Sequence, residues 1–177
     1  MVGSTSRNWN GFETPQLSSQ TPDLSLDPHP HVKMSSESRL YTFSPETKTH
    51  LRKFRLSTSR AKDPQAIIYQ IDKTTLEIKQ VDDEVYKSMR ELGDELPDNS
   101  PRFVVLSYPL TLVRTPNLMP VPYVMVNYLP PTCSSELRML YAGAKELMRN
   151  QAEAGRVVEI ESAEELEGIG ERLKRED

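Results

Sequence analysis

The chain has 177 residues, of which 27% are charged and 36% are hydrophobic, and its net charge is −4. This length allows one ordinary domain with a buried core, plus some additional chain. The acidic balance argues against nucleic acid as a partner, the single cysteine Cys133 excludes an intramolecular disulfide, and no apolar run approaches the ~20 residues of a membrane span.

Residues 1–33 differ in composition from the rest of the chain. They contain four prolines and eight serines or threonines, and they show no apolar periodicity. Such a segment cannot bury enough apolar surface to offset the entropy lost on ordering, so we predict a disordered extension. The folded domain is predicted to span residues 34–177. Met34 is an alternative start, which would make the extension an artefact of the gene model.

From Ser44 onward the pattern predicts helices and strands in alternation. Ser44 is a good N-cap, and Pro45 suits the first helical turn. The predicted elements are a helix from 45, strands 66–72 and 76–81 joined as a hairpin, a helix 83–92, strands 102–113 and 121–129, a helix 135–150, a strand 156–160 and a helix 162–174 that opens with a capping box. This order predicts an α/β (α+β) fold, with a central mixed β-sheet flanked by helices on both faces.

The helix at 135–150 carries one complete apolar stripe. Its members recur at helical spacing and are Leu137, Leu140, Tyr141, Ala144, Leu147 and Met148. At about 100° per residue, Met139 lies opposite this stripe. The residues to one side of it are Arg138, Ala142, Lys145 and Arg149. Two interpretations are open: a single exposed methionine on a solvated charged face, or an adaptable apolar anchor on a partner-binding face.

Several longer motifs resemble the glia maturation factor family, a branch of the actin-depolymerising-factor/cofilin homology (ADF-H) fold. They occur in order between residues 38 and 174 and read HLRKFRL, AIIYQID, GDELPDNSPRFVVLSY, LPPTC and RMLYAGAKELM. The resemblance implies a single domain with a mixed sheet and flanking helices. It also implies that the long helix inserts between two subdomains of an actin-like partner. Met139 would then enter an apolar cleft with Arg138 and Lys145 beside it, and the same surface would include Glu136, Ala142 and Arg149.

The resemblance also implies a function. Glia maturation factors bind the branch-nucleating actin-related-protein (Arp2/3) complex, inhibit nucleation and promote disassembly of filament branches, with actin at the branch as a further contact. Cofilins carry a basic residue at the position of Glu136, so an acid there opposes binding to the acidic surface of actin. Glu136 also stabilises the helix N-terminus by about 0.3–1 kcal/mol. Cofilin-like actin binding, with filament severing and depolymerisation, is the alternative function.

Two further regions are candidate contacts. The joint VRTPNLMP at 113–120, which contains Arg114 and Asn117, lacks the Asp-Gly turn usual in the family, whose hairpin contacts the first actin subunit of the branch. The first helix presents Arg52, Lys53 and Arg55. This basic face is either a solvated surface or a contact for an acidic partner, or for anionic lipid, which relatives of cofilin also bind.

Regulation and chemistry complete the expectations. If Met34 is the true start, the resemblance implies that Ser35 and Ser36 lie beside the long helix, where phosphate would repel an acidic partner. The sequence contains no G-x-S-x-G, Walker or H-E-x-x-H motif, so we predict that the protein is not an enzyme and has no cofactor or metal site. We also predict a monomer. The predicted location is the cytoplasm, at the actin cortex and patches, with the nucleus as a second location.

Overall fold

A computed structural model describes Gly3, residues 40–109 and residues 123–175. Within these residues the chain forms a six-stranded sheet and five short or long helices. In chain order the elements are β1 (Thr42–Phe43), α1 (Pro45–Thr58), β2 (Gln65–Ile71), β3 (Glu77–Gln80), α2 (Met89–Asp94), β4 (Arg102–Ser107), β5 (Tyr123–Tyr128), α3 (Ser135–Ala152), β6 (Arg156–Ile160), a 3-10 helix (Ala163–Leu166) and α4 (Ile169–Arg175).

The sheet is mixed, as predicted. Its strand order is β1-β3-β2-β4-β5-β6. The four central strands pair antiparallel, whereas β1 pairs parallel with β3 and β5 pairs parallel with β6. A parallel pair needs a crossover connection, and α3 supplies it between β5 and β6. The long helix therefore belongs to a β-α-β unit at one edge of the sheet.

Helices cover both faces of the sheet, which confirms the predicted architecture. Strand side chains alternate between the faces, so Ile67 and Ile68 of β2 enter different cores. One core lies under α1 and α3 and includes Phe54 and Met148. The other core lies under α2, the 3-10 helix and α4. The two longest helices thus share one face.

The ends of α1 and α3 follow local rules. The hydroxyls of Ser44 and Ser134 accept hydrogen bonds from the third helical N–H at 3.1 Å and 3.3 Å, so the predicted Ser44 cap is confirmed and Ser134 is the cap of α3. Glu153 follows the last residue of α3 as its C-cap, has a left-handed φ of 51° and donates its N–H to the carbonyl oxygens of Arg149 and Asn150. The Glu153 carboxylate also pairs with Arg55, which ties the end of α3 to α1.

The predicted helix at 83–92 is wrong in its first half, because α2 begins only at Met89. Tyr86 instead exchanges two backbone hydrogen bonds with Ala66 of β2, at 2.8 Å and 2.9 Å. Its hydroxyl donates to Asp82 Oδ2 at 2.9 Å. These bonds hold the segment extended beside Ala66 of β2, and Ser88 then caps the shorter helix.

The predicted single helix at 162–174 is also wrong in its continuity. The 3-10 helix ends at Leu166, and α4 begins only at Ile169. Both residues bury their side chains in the same core. The capping interaction is present, since Glu165 Oε1 accepts from the Ser162 N–H at 3.3 Å. The strand predicted at 102–113 is shorter than expected, because β4 ends at Ser107. Residues 110–122 lie outside the described residues.

No helix among the described residues is long and apolar enough to cross a membrane. Ion pairs join neighbouring segments on the described surface, such as Lys79 of β3 with Asp72 of the β2–β3 turn at 2.8 Å.

His50 of α1 is the histidine among the described residues, and its side chain faces β2 and β3. Its Nδ1 is 3.1 Å from Tyr69 Oη, and its Nε2 is 3.4 Å from Gln80 Nε2. Burial lowers the pKa of His50 from its ordinary value of 6.5; Lys53 lowers it further, and Asp83 opposes the shift. The folded state therefore binds this proton more weakly than the unfolded chain. The resulting stability is complete above the unfolded pKa and is lost as pH falls from there through the lower folded value.

We expect His50→Gln to reduce the loss of unfolding free energy that occurs as pH falls through 6.5, the ordinary pKa of histidine, and below it. The glutamine amide can still bond with Tyr69 but does not titrate. Carboxylates titrate in both proteins, so the difference between their urea-unfolding curves isolates the histidine. Identical pH dependence in the two proteins would contradict a partly buried, neutral His50.

Candidate functional site

α3 is buried on one side and exposed on the other. Its buried residues are Leu137, Tyr141, Ala144, Met148 and Ala152. Met139, on the opposite side, is 76% exposed. This confirms the predicted outward orientation of Met139, while its role in binding stays a prediction. A methionine this exposed contributes little to the core, so its flexible apolar side chain is available to another surface.

An open groove of about 480 Å³ runs beside Met139. It is lined by Leu40, Tyr41, Glu136, Met139, Leu140, Ala142 and Gly143. Among the described residues, four large hydrophobic side chains are exposed, and two of them, Leu40 at 60% and Met139, line this groove. The groove is therefore an apolar surface that includes one carboxylate, that of Glu136.

Tyr41 fastens the segment before β1 to α3. Its hydroxyl donates to the Leu140 carbonyl oxygen at 2.8 Å. The hydroxyl also lies over Gly143, where a Cβ atom would come within 2.7 Å of its oxygen. The small residues in RMLYAGAKELM thus have a structural reason as well as a functional one, since Gly143 makes room for a neighbouring side chain of the same protein.

The three cations around Met139 are held by partners within the chain. Arg138 donates to the carbonyl oxygens of Pro130 and Pro131 at 3.2 Å and 3.4 Å. Lys145 pairs with a carboxylate of β6 at 3.0 Å, and Arg149 pairs with one on the same helix at 3.3 Å. These contacts fix the positions of the charges and partly compensate them. The surface is consequently less basic than the sequence suggests.

Lys145 links α3 to the edge of the sheet. Its Nζ bonds Glu159 Oε1, and that oxygen also accepts from Asn127 Nδ2 at 3.4 Å. The bond from Lys145 is the main reason that the pKa of Glu159 lies below its ordinary value. Both partners are at least one-third exposed, so the pair stabilises the fold by less than about 1 kcal/mol. Its larger effect is to fix the direction of the Lys145 side chain.

The basic face of α1 divides into two parts. Arg52 and Lys53 are exposed and surround Leu56, whose side chain is 66% exposed. Arg55 points toward α3 and forms the ion pair with Glu153. Arg52 and Lys53 therefore belong to an outer surface, while Arg55 has a structural contact within the fold.

The remaining predicted residues lie outside the described residues. These are Ser35, Ser36, Arg114 and Asn117, together with the extension predicted at 1–33. Leu40 and Tyr41 are the site residues that the sequence did not reveal. Their only local signal is an apolar pair before a helix cap, which is equally typical of a buried strand.

The described residues contain no group of three His, Cys, Asp or Glu side chains that could hold a metal ion. Cys133 is buried just before the N-cap of α3. The strongly shifted carboxyl is Asp72, where hydrogen bonds from Lys79 and then from two backbone N–H groups lower the pKa to about 2. That carboxylate closes the β2–β3 turn by accepting these bonds.

Comparison with known proteins agrees with this geometry. The family of cofilin/tropomyosin-type actin-binding proteins matches residues 40–174. Protein AIM7 of Saccharomyces cerevisiae is 36% identical over 146 residues, which cover 78% of this chain and 97% of AIM7. Glia maturation factor beta of Homo sapiens is 36% identical over 126 residues, which cover 70% of this chain and 85% of that protein.

A solved structure extends the comparison to three dimensions. The solution structure of glia maturation factor from Caenorhabditis elegans superposes with a TM-score of 0.61 at 28% identity, covering 71% of this chain and 88% of that one. The chain therefore belongs to the cofilin/tropomyosin-type actin-binding proteins and, among them, to the glia maturation factor family. This membership places it among regulators of actin.

Proposed function

We propose that the protein binds the Arp2/3 complex through α3, inhibits nucleation of new branches and promotes disassembly of existing ones. The observation that carries this proposal is Met139, which is 76% exposed on a helix whose other side packs on the core. Membership of the glia maturation factor family supports the choice of partner. As part of the same proposal, the protein is a monomer that acts in the cytoplasm at the actin cortex and patches, with the nucleus as a second location.

The proposed contact combines one apolar anchor with surrounding polar groups. Burying a methionine side chain in a partner's cleft contributes roughly 1.5–3 kcal/mol. Ala142 is exposed and has only a methyl side chain, so the partner's backbone can approach α3 closely at this position. Arg138, Lys145 and Arg149 surround the anchor in fixed positions, which lowers the entropy lost when they contact acidic groups.

Glu136 is proposed to select between partners. It is exposed in the first turn of α3 and lines the same groove as Met139. A carboxylate there opposes an acidic actin surface, which disfavours the alternative function of cofilin-like filament binding, severing and depolymerisation. The same negative charge is stabilising at the positive N-terminal end of the helix, so Glu136 contributes both to the stability of α3 and to the choice of partner.

The proposal is tested by measuring equilibrium binding of the full chain to two targets in parallel, purified Arp2/3 complex and bare actin filaments. We expect tight binding to the complex and little to filaments. Met139→Ala should weaken binding to the complex by about 10-fold or more, because a central anchor is lost. Arg149→Ala, at a partly compensated charge, should cost less than about 1 kcal/mol.

Met148→Ala is the matched control for this test, because it makes the same chemical change on the buried side of α3. It should destabilise the fold by about 2–5 kcal/mol, whereas Met139→Ala should leave the thermal unfolding midpoint nearly unchanged. A larger effect of Arg149→Ala than of Met139→Ala on binding would contradict an apolar cleft. Binding mainly to bare filaments would favour the cofilin-like alternative.

Reversing the charge of Glu136 tests partner selection. We expect Glu136→Lys to raise the affinity for actin filaments by roughly 3-fold or more and to weaken binding to the complex, since the repulsive group becomes attractive. Glu136→Gln is the control, because it removes the acid without adding a base. It also loses the helix-dipole contribution, so comparing the two variants separates that effect. An unchanged filament affinity in Glu136→Lys would mean that Glu136 has no part in selection.

We propose a second, weaker contact on the outer surface of α1, where Arg52 and Lys53 surround the exposed Leu56. Cations around an exposed apolar side chain suit anionic lipid headgroups, with an acidic protein surface as the alternative. The double variant Arg52→Gln/Lys53→Gln should abolish co-sedimentation with vesicles that contain anionic lipid. Lys174→Gln/Arg175→Gln, on the opposite face of the sheet, should leave it unchanged. Equal co-sedimentation of all three proteins would exclude a lipid role for α1.

A further inference from the structure

The groove beside Met139 is formed by two parts of the chain that are far apart in sequence. α3 supplies Met139 and Gly143, while the segment before β1 supplies Leu40 and Tyr41. Leu40 is 60% exposed and Met139 is 76% exposed, so both offer apolar surface that the fold does not use. β1 has only two residues, Thr42–Phe43, and therefore holds Leu40 weakly by itself. The position of Leu40 depends on how this segment is fastened to α3.

Tyr41 provides that fastening. Its hydroxyl donates to the Leu140 carbonyl oxygen at 2.8 Å, in the middle of α3. A carbonyl oxygen has two lone pairs, so it can accept this bond in addition to a helical one. The hydroxyl occupies the space that a side chain at position 143 would need. A Cβ on Gly143 would be 2.7 Å from the Tyr41 oxygen but 3.5 Å from the nearest ring carbons.

We propose that Tyr41 is a positioning residue, whose bond to α3 holds Leu40 beside Met139 so that the two form a pair of apolar anchors for one partner surface. This inference rests on the proposed function, because the partner is the complex that binds α3. Fixing Leu40 before binding reduces the conformational entropy that a loose segment would lose on docking. Gly143 has a specific role here, since its missing side chain is what allows the tyrosine hydroxyl to reach the helix.

The distances at Gly143 permit a sharp test. Gly143→Ala improves the helix propensity of α3, so it does not weaken the helix itself, but its methyl group displaces the Tyr41 hydroxyl. Tyr41→Phe removes the hydroxyl and keeps the ring, whose carbons would lie at ordinary contact distance from that methyl. The two changes therefore act on the same bond, and their effects on binding should not add.

The experiment measures equilibrium binding of the full chain to purified Arp2/3 complex, with thermal unfolding of each variant in parallel. Tyr41→Phe and Gly143→Ala should each weaken binding by about 5-fold, the value of one ordinary hydrogen bond. The double variant should be no weaker than either single one. Leu40→Ser should weaken binding by roughly 5-fold or more, with an unchanged unfolding midpoint. Val81→Ser, at an exposed site outside the groove, should bind like wild type.

Each other outcome has a definite meaning. If the effects of Tyr41→Phe and Gly143→Ala multiply, the methyl group obstructs the partner directly and the positioning role is overturned. If Met139→Ala weakens binding while Leu40→Ser does not, the paired anchor is wrong but the proposed function stands. If the wild-type chain does not bind the complex, the proposed function fails, and this inference fails with it.

Discussion

The hydroxyl of Tyr141 accepts a hydrogen bond from the backbone N–H of Ile71 at 3.1 Å, and its ring lies 4.7 Å from that of Phe103. A helix on a sheet could otherwise roll about its axis at modest cost, because apolar packing has little direction. This bond gives the contact a direction. It fixes the side of α3 that meets the sheet and, by exclusion, the side that carries Met139. Rolling the helix would leave a buried hydroxyl and a buried N–H without partners.

The exposed face of α3 combines a mainly apolar groove with positive charges that are partly compensated within the chain. The cations beside Met139 bond to carbonyl or carboxylate oxygens of the same chain, and the groove itself is mainly apolar. Recognition on such a surface depends on the fit of apolar side chains, while charge adjusts the choice of partner and the rate of encounter. Glu136 is well placed for that second task, because it lies in the groove rather than at a distance from it.

Much of this architecture follows from local sequence. The apolar period of α3, the serine N-caps and the alternating strands involve residues within a few positions of one another, so the sequence predicts them well. The errors arise where distant residues decide the outcome. The segment around Tyr86 has a helical pattern, yet its backbone pairs with Ala66 on another strand. Leu40 and Tyr41 join the site through α3, a hundred residues away, and no local pattern records that contact.

The position of α3 between β5 and β6 has a consequence for how the protein responds to damage. Because α3 is the crossover of a β-α-β unit, the chain on either side of it belongs to a pair of hydrogen-bonded strands. The helix also buries residues of the core that it shares with α1, so its local opening costs more free energy than fraying of an exposed terminus. A partner that docks on α3 meets a preformed surface, so ordering of the helix does not slow association. Inherited or somatic substitutions in the β5–β6 core would accordingly lower the amount of competent protein in a cell without altering the affinity of the molecules that remain folded.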